Sequence, residues 1–572
     1  MSKPFFITTA IDYTNGAPHI GHAYEKVLAD VLARYHRLKG DDVFFLTGVD
    51  QHGQKVQQSA EKQGIPPQQF VDGITAKFRA LWEKLDVKYD RWAATTDPLH
   101  KGCVQRILQR LWDEKQIYKD KQGGYYSIRQ EQFITDKERG PDGQFGPDWG
   151  EVEFREEENY YFKLAEHKDW LLALIDKRDD LVTPAFRRAE LRNAVEKLTG
   201  DLCISRPKAR LSWGIPITFD PEFVTFVWFD ALVNYISFAG YEPAPEANNN
   251  AFFTRWPALH VIGKDILIPA HGIYWPIMLH ALGFTDDQIP PLLVHGWWNI
   301  KSKETGESEK MSKTLGNVVD PDEGVEALKV PLREALVKYN LTREKKKEAP
   351  LSEEEISAIA TRCGVEAYRY YVMSDISTGK DSDFSEERLL QRYNTDLANS
   401  LGNLLNRTLS MAQSYRAGTL KSAPRDFAFP GANGAPLAFG RLVEAFPPLY
   451  RESMDGFQVH TALEKAVEIA VHANGLIETT APFKLAKDPA QAALLDAVLY
   501  TLAEALRIIA ILISPVLPKS AHEIFNQLQW KPAEAGQESR FRLADAQWGG
   551  LPDGHTLGKP IPLFPRIEEA KA

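Results

Sequence analysis

The chain begins with Phe5-Phe6-Ile7-Thr8-Thr9-Ala10, a short apolar run with β-branched members, the pattern of a strand buried on both faces. Asn15-Gly16-Ala17-Pro18 then turns the chain, and apolar positions recur at helical spacing from about residue 19 to 38. Val43-Phe44-Phe45-Leu46 predicts a second buried strand, ending at Gly48-Val49-Asp50-Gln51-His52-Gly53. Strand, turn, helix, strand is by default a right-handed parallel unit. A doubly wound α/β domain with a Rossmann-like parallel sheet is therefore expected.

From 115 to 225 the pattern changes to short strand-like pieces around Gly140-Pro141-Asp142-Gly143 and Gly146-Pro147, as in an inserted module. Buried-strand runs return at 223–229, 260–262 and 292–295, as if the first sheet were being completed. The economical account is a split sheet, 1–114 and 226–300, with 115–225 inserted. Residues 301–379 read as a connecting segment. Its 343–347 run is a solvated loop, and Ser352 and Glu355 have the spacing of a capping box. Beyond 380 the pattern is almost wholly helical to about 545, and 546–572 is a tail packing back on the core. In the helical part Leu390, Tyr393, Leu397, Leu401 and Leu404 form one apolar stripe at spacings of 3, 4, 4 and 3. Arg388, Arg392, Asn399, Asn403 and Arg407 form another, roughly opposite, free to face a partner.

Composition changes this picture in three ways. The 572 residues exceed what one core usually serves, which fits several domains. A net charge of −10 means that any nucleic-acid contact must use local basic faces. The three cysteines, Cys103, Cys203 and Cys363, are far apart, with no CxxC pair, so neither a disulfide framework nor a cysteine zinc knuckle is expected. They read as buried thiols in a reducing compartment. With no leader-like start and no apolar run of about 20 residues, a cytoplasmic protein without membrane association is expected.

Two segments carry chemistry. Pro18-His19-Ile20-Gly21-His22 stands where the turn enters the first helix, and a helix N-terminus suits phosphates. His19 and His22 lie on one helical face, and Gly21 between them lets a flat base approach the backbone. Alone, the pair reads equally well as surface histidines. Lys310-Met311-Ser312-Lys313-Thr314 follows the last strand, about 290 residues on, in a loop able to bring ammonium groups to a triphosphate. Alone it is an ordinary exposed lysine-rich turn. Together, with a split α/β sheet between them, the two are hard to assign to chance.

The pair resembles the signature of the class I aminoacyl-tRNA synthetases, and the likeness extends over nearly the whole chain. Further motifs resemble the methionine branch: Ala10-Ile11-Asp12-Tyr13 before the first signature, Val49-Asp50-Gln51-His52-Gly53, Val227-Trp228-Phe229-Asp230-Ala231-Leu232 with Tyr235, Ile262-Gly263-Lys264-Asp265-Ile266, and His271 with Trp275-Pro276. The resemblance implies activation of L-methionine by ATP with Mg²⁺, followed by transfer to tRNA(Met), the initiator included. It implies that Asp50 and the Ile11 carbonyl hold the methionine ammonium. Ala10, Tyr13, Trp228, Ala231, Leu232, Ile266 and Trp275 would wall the side chain, with Tyr235 and His271 near sulfur. ATP would meet His19, Gly21, His22, Gly263, Asp265, Lys310 and Lys313, with His19, His22, Lys310 and Lys313 catalytic and Arg206 in support. An aromatic pocket suits a long polarizable thioether, although Trp228 and Trp275 read as well as core aromatics. Asn403, Arg407 and Phe483 would meet the anticodon, Phe483 standing where the family usually has Trp. A bundle helix with a solvated face is the alternative there.

The sequence departs from the family in two respects. The insert lacks the cysteines of a zinc knuckle, so no structural zinc is expected. No further tRNA-binding, dimerising domain follows the helical part, so a monomer is expected. A synthetase for another amino acid, a small nucleotidyltransferase and a non-catalytic tRNA-binding paralogue fit less well. The first, taken as a cysteine enzyme, lacks its zinc thiolates; the second would lack Lys310–Thr314-type chemistry; the third would have lost the histidines or lysines.

Overall fold

The computed structural model describes residues 2–128, 132–134, 136–140, 142–244, 247–302, 306–311, 317–345, 347–431, 436–532 and 540–568. Its central sheet has the spatial order Asp12–Tyr13, Asp42–Asp50, Pro4–Thr9, Leu259–Gly263, Leu292–His295, Val182–Thr183, and Arg91–Ala94 also pairs with Asp42–Asp50. Every pairing in it is parallel. Pro4–Thr9 is flanked by Asp42–Asp50 on one side and by Leu259–Gly263, more than 200 residues later, on the other. Chain order therefore reverses there, and such a switch point opens a crevice beyond the carboxyl ends of the strands.

The helix Ile20–Lys39 connects the first two long strands and buries Ile20, Val27, Leu28, Val31 and Leu32 against the sheet. It ends at Gly40, whose φ of 96° closes the helix in the left-handed region.

Two strand expectations are corrected. The run 223–229 does not complete the parallel sheet. Asp220–Thr225 pairs antiparallel with Ser205–Pro207 and Pro216–Ile217, and Val227–Leu232 is already helical. A continuous apolar run is buried in either state, so periodicity cannot mark the change. Conversely Val182–Thr183, inside the expected insert, joins the edge of the main sheet beside Leu292–His295. Two residues are too few to show a pattern.

The insert also holds a four-stranded antiparallel sheet of Ile117–Ser127, Gln132–Ile134, Val152–Phe162 and Leu202–Cys203, with the helices Lys168–Lys177 and Ala185–Glu196 between its last two strands. Of the three thiols, Cys103 and Cys363 are buried as expected, whereas Cys203 at this sheet edge is only partly buried.

The expected loop at 343–347 is also corrected, since the helix Pro321–Lys345 runs through its first three residues. Ser352 does start the next helix, Glu353–Ser374, with Oγ accepting from Glu355 N–H at 3.1 Å and Ser352 N–H donating to Glu355 Oε2 at 2.7 Å. The apolar stripe of the following helices faces inward, with Tyr393, Leu397, Leu401 and Leu404 all buried. Asn399 and Asn403 are exposed.

One core runs from the sheet into the helical part, so the two are welded rather than tethered. At the joint the fully buried Arg369 donates to Asp30 Oδ2 at 2.7 Å, to the Leu85 carbonyl at 2.9 Å and to the Val516 carbonyl at 2.8 Å. The tail returns to this region, where Asn394 exchanges side-chain hydrogen bonds with the backbone of Ile567 and Tyr393 Oη donates to the Pro565 carbonyl. Among the described residues no helix is long and apolar enough to cross a membrane.

Candidate active site

A cavity of about 410 Å³ opens at the switch point, beyond the carboxyl ends of the parallel strands. It brings together residues from stretches far apart in sequence: Ala10, Asp50, Trp228, Asp265, His295 and Lys310 all line it.

The start of the first helix forms one wall. His19 is its N-cap, with Nδ1 accepting from Gly21 N–H at 3.1 Å, while His22 Nδ1 accepts from His19 N–H at 3.1 Å. A nitrogen that accepts from a backbone N–H carries no proton, so both neutral imidazoles must carry theirs on Nε2. Two N–H donors thus stand at the positive end of the helix dipole, where the first backbone N–H groups are already engaged, Ile20 N–H by the Val319 carbonyl at 3.2 Å and Gly21 N–H by the His19 ring. The rings are 3.8 Å apart and Phe78 backs His22 edge-on at 5.4 Å. A Cβ at Gly21 would lie 2.9 Å from His19 Cε1, so glycine is what allows this ring position.

The opposite end is aromatic. Trp228, Ala231 and Leu232 come from the Val227–Leu232 helix, Tyr235 from the short helix Asn234–Ser237 after it, and Ile266 and His271 from the segment after Leu259–Gly263; all line the cavity, as do Ile11 and Tyr13. His271 Nδ1–H donates to the Ile266 carbonyl at 3.0 Å, so its Nε2 accepts from Tyr235 O–H at 2.7 Å. Burial pushes His271 down to about 4 and Tyr235 well up, which keeps the pair neutral. Trp275, expected as a wall, lies one layer behind: it is fully buried, 5.8 Å from the Tyr235 ring, and donates Nε1–H to His260 Nε2 at 3.0 Å.

Asp50 ends the Asp42–Asp50 strand almost buried, facing the cavity, with Thr95 Oγ1 and His52 N–H each 3.4 Å from Oδ1. Beneath it Asp230, fully buried, accepts from His52 Nδ1 at 2.5 Å and His100 Nε2 at 2.7 Å. Burial alone would raise this carboxyl, but the two imidazoles pull it down to about 2. The clamp ties the helix bearing Trp228 to the strand end bearing Asp50.

Several participants were not identified from the sequence. Lys26, fully buried, donates to the Ala10 carbonyl at 2.9 Å, Asp12 Oδ1 at 2.6 Å and Glu25 Oε1 at 2.8 Å. Glu25 Oε2 meets His295 Nε2 at 3.1 Å, and His295 Nδ1–H donates to the Gly296 carbonyl at 2.8 Å. Asp12, Glu25 and His295 line the cavity, and burial pushes the Asp12 carboxyl up to about 7 against the pull of Lys26. A buried ion cluster thus joins the strand end at Ala10 to the strand end at His295. The available signal was charge on a helix face that otherwise reads as core, Glu25-Lys26 and Asp30. Trp297 also lines the cavity, with Lys310 Nζ 3.6 Å and Lys264 Nζ 4.0 Å from its ring centroid.

Gly263 and Asp265 line the cavity as expected. Lys313, with all of 312–316, lies outside the described residues. Arg206 is not on the cavity; it is buried beside it, over Phe226 at 4.5 Å, with Nη1 donating to the Ser205 carbonyl at 2.7 Å. On the helical part Asn403 is exposed, Arg407 pairs with Glu478 at 2.8 Å, and Phe483 is 54% exposed just beyond the helix Val459–Thr480 that carries Glu478. Among the described residues no group of three or more His, Cys, Asp or Glu is placed to hold a metal ion.

Comparison with known proteins agrees along the whole length. Residues 5–142, 149–357 and 352–409 match the family model described as tRNA synthetases class I (M), and 442–572 match the anticodon binding domain of methionyl tRNA ligase. A methionine–tRNA ligase of Deinococcus radiodurans is 38% identical over 99% of this chain and 75% of its own length. One from Thermosynechococcus vestitus is 36% identical, covering 99% of this chain and 98% of its own. Among solved structures, Mycobacterium tuberculosis methionyl-tRNA synthetase in complex with methionyl-adenylate superposes with a TM-score of 0.83 at 34% identity, covering 99% of this chain and 100% of that one. Its apo form gives 0.77 at 31% identity, covering 100% and 99%.

Proposed function

The chain belongs to the methionine branch of the class I tRNA synthetases, and from that premise we propose how its own residues carry out the reaction. The reaction is established by the family: methionine is activated with ATP to methionyl-adenylate and pyrophosphate, and the methionyl group is then loaded onto tRNA.

Asp50 and the Ile11 carbonyl take the methionine ammonium, and the thioether enters the pocket of Tyr13, Trp228, Ala231, Leu232, Ile266 and Ala10. The neutral Tyr235–His271 pair suits a thioether, because it offers no fixed charge that sulfur would have to desolvate. Trp275 acts through Tyr235 rather than by touching the ligand. ATP lies across the switch point, its base against Gly21 and its ribose toward Gly263 and Asp265. The methionine carboxylate oxygen forms a bond to the α-phosphorus while the bond to the pyrophosphate oxygen breaks. His19 and His22 donate Nε2–H to phosphate oxygens, and Lys310 with Lys313 meets charge developing on pyrophosphate. Mg²⁺ arrives with ATP and offsets part of that charge. In the second step the terminal ribose hydroxyl of tRNA attacks the adenylate carbonyl and AMP leaves. Arg206 supports the site from behind, and Asn403, Arg407 and Phe483 meet the anticodon. The chain works as a cytoplasmic monomer on tRNA(Met), the initiator included, without structural zinc.

The observation that carries this reading is the pair of imidazoles whose Nδ1 atoms are both engaged by backbone N–H groups, aiming two Nε2–H donors beside an aromatic pocket. Charging of tRNA transcripts with labelled methionine tests it. A transcript with a CAU anticodon should accept methionine to a plateau, and one with the anticodon changed should lose most of its kcat/KM. Equal charging of both would refute the anticodon assignment; charging of neither would refute the transfer reaction for this chain.

A further inference from the structure

Three guanidinium groups surround the ring of Tyr126 in the insert sheet, with the Cζ atoms of Arg210, Arg155 and Arg206 at 4.3, 4.7 and 5.7 Å from its centroid. Arg210 Nη1 donates to Glu157 at 2.7 Å and Arg155 Nη2 pairs with Glu153. Three of their remaining nitrogens are unmet: Arg155 Nη1 and Arg210 Nε and Nη2 are buried with no hydrogen-bond acceptor among the described residues. Each buried donor left unpaired costs about 1–3 kcal/mol. Burial, with repulsion from Arg206 and Arg155, also holds Arg210 below the ordinary guanidinium range. In a chain of net charge −10, like charges crowded with unmet donors mark a place where an anion would relieve both costs.

The cluster adjoins the catalytic cavity on two sides. Tyr126 Oη donates to Gln54 at 3.5 Å, one residue before the cavity-lining Lys55, and Arg206 lies over Phe226, one residue before the cavity-lining Val227. The Arg155 and Arg210 side chains are 23% and 14% exposed, so each edges onto solvent while its unmet nitrogens are covered, and a phosphate reaches them by a shift of the side chains. Tyr126 itself is fully buried and has no face to offer a base, which favours phosphate over base recognition. ATP already has His19, His22 and Lys310. The other polyanion that must enter is the tRNA 3′ end, whose last phosphodiesters trail out of the cavity once the terminal ribose reaches the adenylate.

We infer that Arg155 and Arg210 receive a backbone phosphate of the single-stranded tRNA 3′ end as its terminal ribose enters the catalytic cavity. This rests on the reading of the chain as a tRNA-charging enzyme. The planar guanidinium fork suits a bridging phosphate, and an ammonium replaces it poorly.

Arg155→Gln and Arg210→Gln test the inference in two assays run on the same preparations. Methionine-dependent ATP–pyrophosphate exchange, which needs no tRNA, should stay within about twofold of wild type. kcat/KM for tRNA in charging should fall about tenfold in each variant. Its dependence on salt should flatten by about 0.7 in log–log slope for each phosphate no longer neutralised. Arg210→Lys should recover only part of the loss. Unchanged charging in both variants overturns the inference. So does a parallel fall of exchange and charging, which would assign the cluster to holding the insert together. Wild-type protein that exchanges but never charges would instead refute the transfer reading on which the inference stands.

Discussion

Gly21→Ala separates the position of His19 from the stability of the helix that carries it. Gly21 is the second residue of the helix Ile20–Lys39, where alanine is intrinsically the better helix former by about 1 kcal/mol. The added Cβ would stand 2.9 Å from His19 Cε1 and 3.1 Å from His19 Nδ1. Relief is cheap in stability, because the contacted atoms belong to a side chain that can rotate, but rotation surrenders the 3.1 Å bond from Gly21 N–H to Nδ1. Loss of an N-cap bond costs about 1 kcal/mol. Gain and loss nearly cancel, so thermal stability should change by less than about 1 kcal/mol. Catalysis should not be spared. An imidazole displaced by about 1 Å from its phosphate costs on the order of 10²-fold in rate, and the methyl group also stands where the base would lie. Methionine-dependent pyrophosphate exchange in Gly21→Ala should therefore drop about 100-fold in kcat/KM for ATP, with an unchanged melting curve. Activity within threefold of wild type would refute the role given to the ring position of His19. A large loss of stability would refute the packing estimate.

Lys26→Met should destabilise the protein by about 3–5 kcal/mol at neutral pH, because it removes the buried partner of both carboxyls, stranding the Glu25 carboxylate and driving Asp12 to take up a proton. In urea unfolding the deficit should shrink on adding Asp12→Asn or on lowering the pH. A single substitution costing under 1 kcal/mol would count against a working ion cluster. Asp230 has a folded pKa of about 2, below its unfolded value, so its stabilisation is present above about pH 4 and lost as the pH falls toward 2. At 1.36 kcal/mol per pKa unit this is about 2–3 kcal/mol. Asp230→Asn should lose it at pH 7 and flatten the acid limb of stability, while raising KM for methionine; an acid limb identical to wild type would refute the clamp. Phe483→Ala should leave exchange and folding intact, since the ring is 54% exposed, and should weaken tRNA charging by about 1–3 kcal/mol if a base stacks there.

What was legible in the sequence was what local pattern encodes. Pro4–Thr9, Asp42–Asp50 and the helix between them follow from an apolar run, a Gly/Pro turn and a 3.6-residue period; the first strand and the helix lie within a residue of expectation, and the second strand runs on past Leu46 to Asp50. The cavity residues near His19, Asp50, Trp228 and His271 were accessible through motifs, because the motifs at His19, Asp50 and His271 follow strand ends that the parallel sheet brings to one crevice, and the helix Val227–Leu232 carries Trp228 to the same place. The partners of those residues were not. Lys26 bonds to Asp12 fourteen positions away, His52 to Asp230 across 178, and Glu25 to His295 across 270, and no local signal links such pairs. The helical start at Val227 was hidden because a wholly apolar stretch reads alike as strand or helix. Trp275 illustrates a depth problem: spacing finds the aromatic but not whether it forms the wall of the pocket or the layer behind it.

Amino-acid-dependent ATP–pyrophosphate exchange, run across the twenty amino acids on chelator-treated protein with Mg²⁺ restored, tests the central claim most directly. Exchange should be strongest with methionine by a wide margin and undiminished by removal of zinc. Exchange led by a different amino acid would contradict the neutral thioether pocket of Trp228, Tyr235 and His271, and exchange that required zinc would contradict an insert held by its own packing.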